Sequence, residues 1–248
     1  MKKNAKLHWV RLPLEGIENC RELGGYSTSR GQQTEWHRFL RSSDMSRMTQ
    51  EDKQFLKEYG VTTVIDLRGE DEMQTHPNPL AGESFCTYHN IPLITRQVSE
   101  MERPAEDAFI GDFYIELLDH HAAVKRIFDT IADAPEGCVL FHCQAGKDRT
   151  GVLAMLLLGL AGVAQKDIVS NYEVTYSCLE SVQKQEIVFD HIPTSFLYSH
   201  RDYIVKAYEH LVAHHQSVEQ YLLAKGVEPS VLDRVKPRLV KMEDAVVS

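Results

Sequence analysis

Residues 142–151 read His-Cys-Gln-Ala-Gly-Lys-Asp-Arg-Thr-Gly and lie between a short apolar run and a long one. The short run, Val139-Leu140-Phe141, predicts a buried strand, and residues 150–163, almost all Leu, Ala, Val, Met or Gly, predict a buried helix. The connection must turn tightly, which Gly146 allows. A strand–loop–helix turn of this kind directs backbone N–H groups inward and adds the positive end of the helix dipole. The stretch therefore predicts a cradle for an anion of the size of a phosphate.

The reactive group of this cradle is predicted to be Cys143, which lies at its floor. The N–H donors of the loop and Arg149 favour a thiolate over a thiol at that position. Arg149 follows where the loop closes, so its planar guanidinium can hold two phosphoryl oxygens at once. Thr150 can donate its hydroxyl to the sulfur and ease its departure. The alternative is a buried structural cysteine beside a surface arginine, but the flanking strand and helix favour the site.

Composition and charge exclude several classes of protein. The chain has 248 residues, 43% of them hydrophobic and 25% charged, which fits a single globular domain over 1–248. Its formal net charge of −9 argues against nucleic acid or an anionic membrane as a general partner. Five cysteines without framework spacing indicate a reducing compartment, most simply the cytoplasm. The N-terminal residues do not resemble a signal peptide, and the longest apolar run, 152–163, is too short to cross a bilayer.

Strand and helix patterns alternate along most of the chain. Residues 61–65 and 85–91 predict strands, and Thr49 and Gly60 are the expected boundaries of a first helix. A polar segment with weak periodicity, 95–118, is a candidate lid. Further helices are predicted over the ranges 112–134, 165–180, 201–225 and 229–239. This order indicates an α/β fold, a central and mostly parallel sheet flanked by helices, with a C-terminal helical part at 165–248.

Ligands of such sheets bind beyond the carboxyl ends of the strands. Asp66 and Cys143 each follow a predicted strand directly. One edge of the sheet is therefore expected to carry both residues.

The chain resembles the protein tyrosine phosphatase superfamily, in particular its bacterial branch with the loop signature HCxxGKDRTG. Besides the loop, four segments carry this resemblance in the expected order: NCRELGGY at 19–26, RSSDMSRMTQED at 41–52, VTTVIDLRGEDE at 61–72 and SVEQYLLAKGVEPSVL at 217–232. The resemblance implies the cysteine-phosphatase fold with additional C-terminal helices, and hydrolysis of phosphotyrosine.

The implied mechanism has two steps and needs neither a metal nor another cofactor. Cys143 attacks phosphorus, and water then hydrolyses the phosphocysteine. The phosphoryl oxygens are expected to be bound by the loop, that is by Gln144, Ala145, Gly146, Lys147, Asp148 and Arg149. His142 is expected to brace the loop rather than to transfer a proton.

Lys147 bears on the breadth of substrates. Lipid-directed members of the superfamily have lysines here, so the resemblance also implies possible activity on phosphoinositides, beside phosphoserine and phosphothreonine. The alternative is that Lys147 is a solvated loop residue. Phosphorylated protein or lipid is thus the expected partner.

Three aspartates are candidates for the general acid that protonates the leaving group. Asp66, in the DLR motif, ranks first, with a structural ion pair to Arg68 as the alternative. Asp148, inside the loop, ranks second. Asp112, 31 residues before Cys143, ranks third, because the start of a helix is a better account of it.

Two other classes of protein compete with an active phosphatase. A catalytically silent phosphate-binding module is disfavoured because Cys143 and Arg149 are both present. A sulfur-transfer or arsenate-type enzyme also uses an anion loop, but the HCx5RT arrangement favours phosphate. His210 and His214 have the spacing of a metal pair on a helix, but without a third ligand they indicate a solvated helix face.

Overall fold

A five-stranded sheet forms the centre of the protein in a computed structural model that describes residues 10–93, 108–183 and 198–241. The strands are β1 (Arg21–Glu22), β2 (Phe39–Ser42), β3 (Val61–Asp66), β4 (Thr87–Asn90) and β5 (Cys138–His142). Their order across the sheet is β1-β2-β5-β3-β4. Only β1 is antiparallel to its neighbour, and the other three pairings are parallel. The predicted α/β fold with a largely parallel sheet is confirmed.

Helices connect and cover these strands. They are α1 (Gln50–Tyr59), α2 (Glu70–Thr75), α3 (Ala108–Leu118), α4 (His121–Asp133), α5 (Asp148–Leu160), α6 (Gln165–Cys178), α7 (Glu180–Gln183), α8 (Arg201–His215), α9 (Val218–Ala224) and α10 (Pro229–Leu239). The predicted boundaries of α1 are confirmed. Thr49 and Asp52 form a reciprocal capping box, and Gly60 ends the helix with φ 91°.

The sheet separates two apolar clusters of unequal size. Side chains alternate along a strand, so Phe141 and Leu140 of β5 enter different clusters. The larger cluster contains α5, whose residues 150–158 are all buried, which explains why this helix is apolar on every side. β5 and α5 are thereby fixed on both sides of the loop between them.

The prediction of a single helix over 112–134 is wrong, because two helices occupy this range. α3 ends at Leu118 and α4 begins at His121. The carbonyl of Leu118 accepts a hydrogen bond from the Tyr221 hydroxyl at 2.6 Å, and Lys225 Nζ lies 3.0 Å from Asp119 Oδ1. These partners come from α9, so the sequence of α3 and α4 alone does not reveal them.

The helix predicted at 201–225 is likewise two helices. Gln216 has φ 67°, and the Ser217 hydroxyl accepts from Gln220 N at 3.1 Å to begin α9. Of the predicted lid, residues 95–107 lie outside the described residues, and 108–118 form α3. Among the described helices, none is long and apolar enough to cross a membrane.

Candidate active site

Three parallel strands bring their carboxyl ends to one edge of the sheet. His142 at the end of β5 is in register with Ser42 of β2 and with Asp66 of β3. The residues that follow these strands therefore lie side by side. Cys143 begins the loop at this edge, and α5 begins at Asp148 with its N-terminus at the loop. The predicted placement of Asp66 and Cys143 at one edge is confirmed.

The loop turns at Gly146, where φ is 65°. A Cβ atom built there would lie 2.4 Å from the carbonyl oxygen of Ser42. Both the left-handed backbone and the close approach of β2 require glycine at this position.

The carbonyl groups of the loop point away from its centre because they have partners behind it. Asn19 Nδ2 donates to the carbonyls of Ala145 and Gly146 at 3.1 and 2.9 Å. Arg41 Nη2 also donates to Gly146 at 2.7 Å, and Asp44 N donates to Gln144 at 2.8 Å. These contacts lie on the outer side of the loop.

Most N–H groups of the loop differ from its carbonyls in this respect. Those of residues 144–146, 148 and 149 donate to no group in the part of the chain that the structure describes. Together with the N-terminus of α5 they provide several donors for one anion. The anion cradle predicted from the sequence is present in its geometry.

Cys143 lies at the floor of this cradle and is 2% exposed. The hydroxyl of Thr150 is also buried, but it makes no hydrogen bond to any described residue. The predicted bond from Thr150 to the sulfur is therefore not formed here.

Arg149 is held by a carboxylate that the sequence analysis did not identify. Its Nη1 and Nη2 donate to the two oxygens of Glu72 at 2.6 and 2.7 Å. Burial by itself lowers the pKa of Arg149, but its hydrogen bonds to Glu72 and the negative charges near it together raise that pKa above its usual range. Glu72 also accepts from Gly69 N at 2.9 Å, so the start of α2 fixes the carboxylate that orients Arg149.

Asp66 is a buried structural anion. It accepts from Arg68 Nε at 2.9 Å and Nη2 at 2.7 Å and from the Tyr88 hydroxyl at 2.8 Å, and its side chain is 0% exposed. Burial raises the pKa of Asp66, but His142 and Arg68 together lower it well below its usual range. A carboxylate without a proton and without access to the loop opening is a poor general acid. The contacts support the alternative to its first-ranked role, an ion pair with Arg68.

His142 connects this ion pair to the loop. Its Nε2 lies 2.8 Å from Asn78 Nδ2 and 3.2 Å from Asp66 Oδ2, and its Nδ1 lies 3.2 Å from the carbonyl of Cys143. These contacts place a fully buried ring directly behind the cysteine, in agreement with the bracing role expected for it.

Asp148, unlike Asp66 and Asp112, lies at the loop and is partly exposed to solvent. It is the first residue of α5, its side chain is 26% exposed, and Oδ1 accepts from the Tyr114 hydroxyl at 2.6 Å. Its Oδ2 makes no hydrogen bond to a described residue. Asp112 instead lies within α3 and pairs with Lys206 at 2.6 Å on the surface, so it is not the helix cap that the sequence suggested.

Lys147 is not a solvated loop residue, and that alternative is wrong. Its side chain is 2% exposed, and Nζ donates to the carbonyl of Tyr198 at 3.2 Å and lies 3.3 Å from Asp148 Oδ1. The segment before α8 therefore covers this cation.

Four side chains of the site were not predicted from the sequence: Asn19, Arg41, Glu72 and Tyr114. The first three lie inside the segments that carried the family resemblance, which was the available signal. Tyr114 had no signal, because only the packing of α3 brings it to Asp148. Within the described ranges, no group of three or more His, Cys, Asp or Glu side chains is arranged to hold a metal ion.

The chain is similar to several known proteins. A tyrosine-protein phosphatase of Nostoc commune is 38% identical over 149 residues, which is 59% of this chain and 51% of the relative. The triple specificity protein phosphatase PtpB of Mycobacterium tuberculosis is 24% identical over 54% of this chain and 59% of its own. The match thus spans little more than half of the length of these relatives. The crystal structure of TpbA from Pseudomonas aeruginosa is similar over 82% of this chain and 96% of its own, with 16% identity and a TM-score of 0.34.

A sequence model of a whole family covers nearly the entire chain. The model of the tyrosine phosphatase family matches residues 12–241, which include the loop and each side chain that contacts it. The chain belongs to the tyrosine phosphatase family.

Proposed function

We propose that this protein hydrolyses phosphotyrosine through a phosphocysteine intermediate. The observation that carries the proposal is the hydrogen bonding of the loop that begins at Cys143. Its carbonyls are bound from behind, whereas the N–H groups of residues 144–146, 148 and 149 have no partner among the described residues. A dianionic phosphoryl group matches this arrangement in charge and size. The name of the Nostoc relative supports the choice of tyrosine.

In the first step, the thiolate of Cys143 forms a bond to phosphorus while the bond from phosphorus to the tyrosine oxygen breaks. Arg149 and the loop N–H groups bind the equatorial oxygens, where charge spreads in the transition state. In the second step, water attacks phosphorus and the bond to sulfur breaks. This releases inorganic phosphate and restores the thiolate.

We infer that Asp148 is the general acid. It would give its proton to the departing phenolate oxygen and take one from the attacking water in the second step. Its partial exposure and its uncommitted Oδ2 suit this role, and Tyr114 fixes the orientation of its other oxygen. Asp66 would then act through the structure of the loop alone.

We also propose that the substrates extend beyond phosphotyrosine. Lys147 adds a second cation to the loop, which suits substrates with more than one phosphate, and the relative PtpB is named a triple specificity phosphatase. Phosphoserine, phosphothreonine and phosphoinositides are thus the substrates to compare with phosphotyrosine.

The test uses the purified chain with phosphotyrosine, phosphoserine and phosphothreonine peptides and with mono- to tris-phosphorylated inositol lipids. Wild-type protein should release phosphate from the phosphotyrosine peptide in the presence of EDTA. In a separate assay without EDTA, which would bind vanadate, vanadate should inhibit this reaction. Cys143→Ser should lose turnover but keep its binding of vanadate. Full turnover by Cys143→Ser would refute the mechanism, and inhibition by EDTA would point to a metal-dependent reaction.

A further inference from the structure

Arg21 and Arg41 are two buried cations without a carboxylate partner among the described residues. They face each other in register on β1 and β2, and they are 0% and 1% exposed. Like charges directly opposite each other on neighbouring strands repel, and removing each from water costs free energy. An arrangement this unfavourable for folding alone calls for a functional reason.

The acceptors around this pair are all neutral. Arg21 Nη1 donates to the carbonyl of Asn171 at 2.6 Å, and its Nε donates to Asn19 Oδ1 at 3.1 Å. Arg41 Nη1 donates to Asn171 Oδ1 at 2.6 Å, and its Nη2 donates to the carbonyl of Gly146 at 2.7 Å. The Nε of Arg41 is buried and has no hydrogen-bond partner among the described residues. The pair is thus well bonded but not neutralised, and it touches the loop directly.

Burial, and next the neighbouring Arg21, lower the pKa of Arg41 to about 9, and burial also lowers the pKa of Arg21. A guanidinium is nevertheless always charged in proteins at neutral pH. Since no described carboxylate contacts the pair, the loop and its ligand are where a balancing negative charge can lie. The thiolate of Cys143 and the phosphoryl group of a substrate are the anions that this site receives.

We propose that Arg21 and Arg41 are positioning residues that hold the loop carbonyls outward and supply a buried positive charge for the anions in the cradle. The inference deepens the proposed function, on which its choice of phosphate rests. Asn19 completes the arrangement, because it accepts from Arg21 and donates to the carbonyls of Ala145 and Gly146.

The other charged or titratable groups around the cysteine come from different elements. They are Arg149 and Asp148 on α5, Lys147 in the loop, His142 on β5, and Glu72 on α2, which is bound to Arg149. Arg41 is the charged group that β2 contributes. Its contribution can be measured separately because it contacts none of these side chains.

The experiment measures the alkylation of Cys143 by iodoacetamide as a function of pH, with and without inorganic phosphate. Cys143→Ser supplies the background from the other cysteines. Arg41→Met should move the midpoint of alkylation upward by about one pH unit. It should also weaken protection by phosphate roughly tenfold, since a charged hydrogen bond to the loop is lost.

Two variants separate charge from shape. Arg41→Lys keeps the charge, so its midpoint should stay within a few tenths of a pH unit of wild type while its protection by phosphate weakens. Arg38→Met, next to β2 but bound to Glu136 at the surface, is the matched control and should behave as wild type.

A wild-type alkylation profile and wild-type phosphate protection in Arg41→Met would overturn the inference, even if its kcat were lower. A midpoint shift in Arg41→Lys as large as that in Arg41→Met would overturn the role of charge. If Arg41→Met does not fold by circular dichroism, Arg41→Gln is measured against the same criteria. Alkylation needs no turnover, so a wild-type chain that is inactive on phosphotyrosine would refute only the proposed function.

Discussion

Replacing Asp66 with asparagine is expected to destabilise the fold rather than to remove a proton donor. The change breaks the buried pair in which Arg68 donates to Asp66 at 2.9 and 2.7 Å, with both side chains 0% exposed. Breaking such a pair costs about 3–5 kcal/mol, because the remaining charge stays buried. Arg68 keeps a bond of 2.9 Å to Asp44, so we expect the lower part of this range, about 3–4 kcal/mol.

This free energy corresponds to a measurable change in thermal stability. In a chain of this size each kcal/mol lowers Tm by about 2–4 °C, so Asp66→Asn should lower Tm by roughly 6–16 °C. Asp148→Asn is the matched control, because that side chain is 26% exposed and its ion pair with Lys147, at 3.3 Å, is partly open to solvent on the aspartate side. Its unfolding free energy in urea should change by less than about 1 kcal/mol.

Kinetics with aryl phosphates separate the two aspartates further. Asp148→Asn should slow the hydrolysis of substrates with poor leaving groups by about 10²–10⁴-fold and affect good leaving groups much less. Asp66→Asn, measured well below its own Tm, should depend on the leaving group as wild type does. An Asp66→Asn protein with wild-type Tm and a selective loss on poor leaving groups would refute this reasoning and make Asp66 the acid.

Three further predictions follow from the same contacts. The pKa of Asp66 is lower in the folded than in the unfolded chain, so the stability that Asp66 contributes is complete above about pH 5 and is lost as the pH falls further. In urea unfolding from pH 6 to 2, the unfolding free energy of wild type should therefore decline more steeply than that of Asp66→Asn. Parallel declines would contradict this. Glu72→Gln should lower kcat/KM on a phosphotyrosine peptide by about tenfold, because the guanidinium of Arg149 loses its charged partner. Glu70→Gln on the same helix should leave kcat/KM unchanged. Equal kcat/KM values for the two variants would exclude a role of Glu72 in orienting Arg149. Gly146→Ala adds a clash with β2 to the strain of a left-handed backbone and should lower the unfolding free energy by more than about 2 kcal/mol. Gly31 also has a left-handed backbone, with φ 75°, but open space around it, so Gly31→Ala should cost only about 1 kcal/mol. Similar losses in the two variants would show that the clash is relieved.

Local signals predicted much of the fold. The capping box of Thr49 and Asp52, the left-handed Gly60 and the apolar runs on either side of the loop act over a few residues, so neighbours in sequence are enough to read them. The two breaks within predicted helices were missed for different reasons. The end of α3 depends on Tyr221, which is distant in sequence, whereas Ser217 was a local cap signal that the apolar pattern outweighed.

The sequence alone also determined that one loop holds Cys143, Gly146 and Arg149, because residues at this spacing have to share one turn between a buried strand and a buried helix. It did not determine which aspartate can carry a proton. Asp66 and Asp148 are the same residue type, and they differ only in surroundings that come from elsewhere in the chain: a buried arginine for one, and Tyr114 and an opening to solvent for the other. Only the tertiary structure shows these different surroundings, on which the choice of Asp148 as the proposed acid rests, and it alone placed Arg41 behind the loop, because burial and electrostatic fields depend on distances in space.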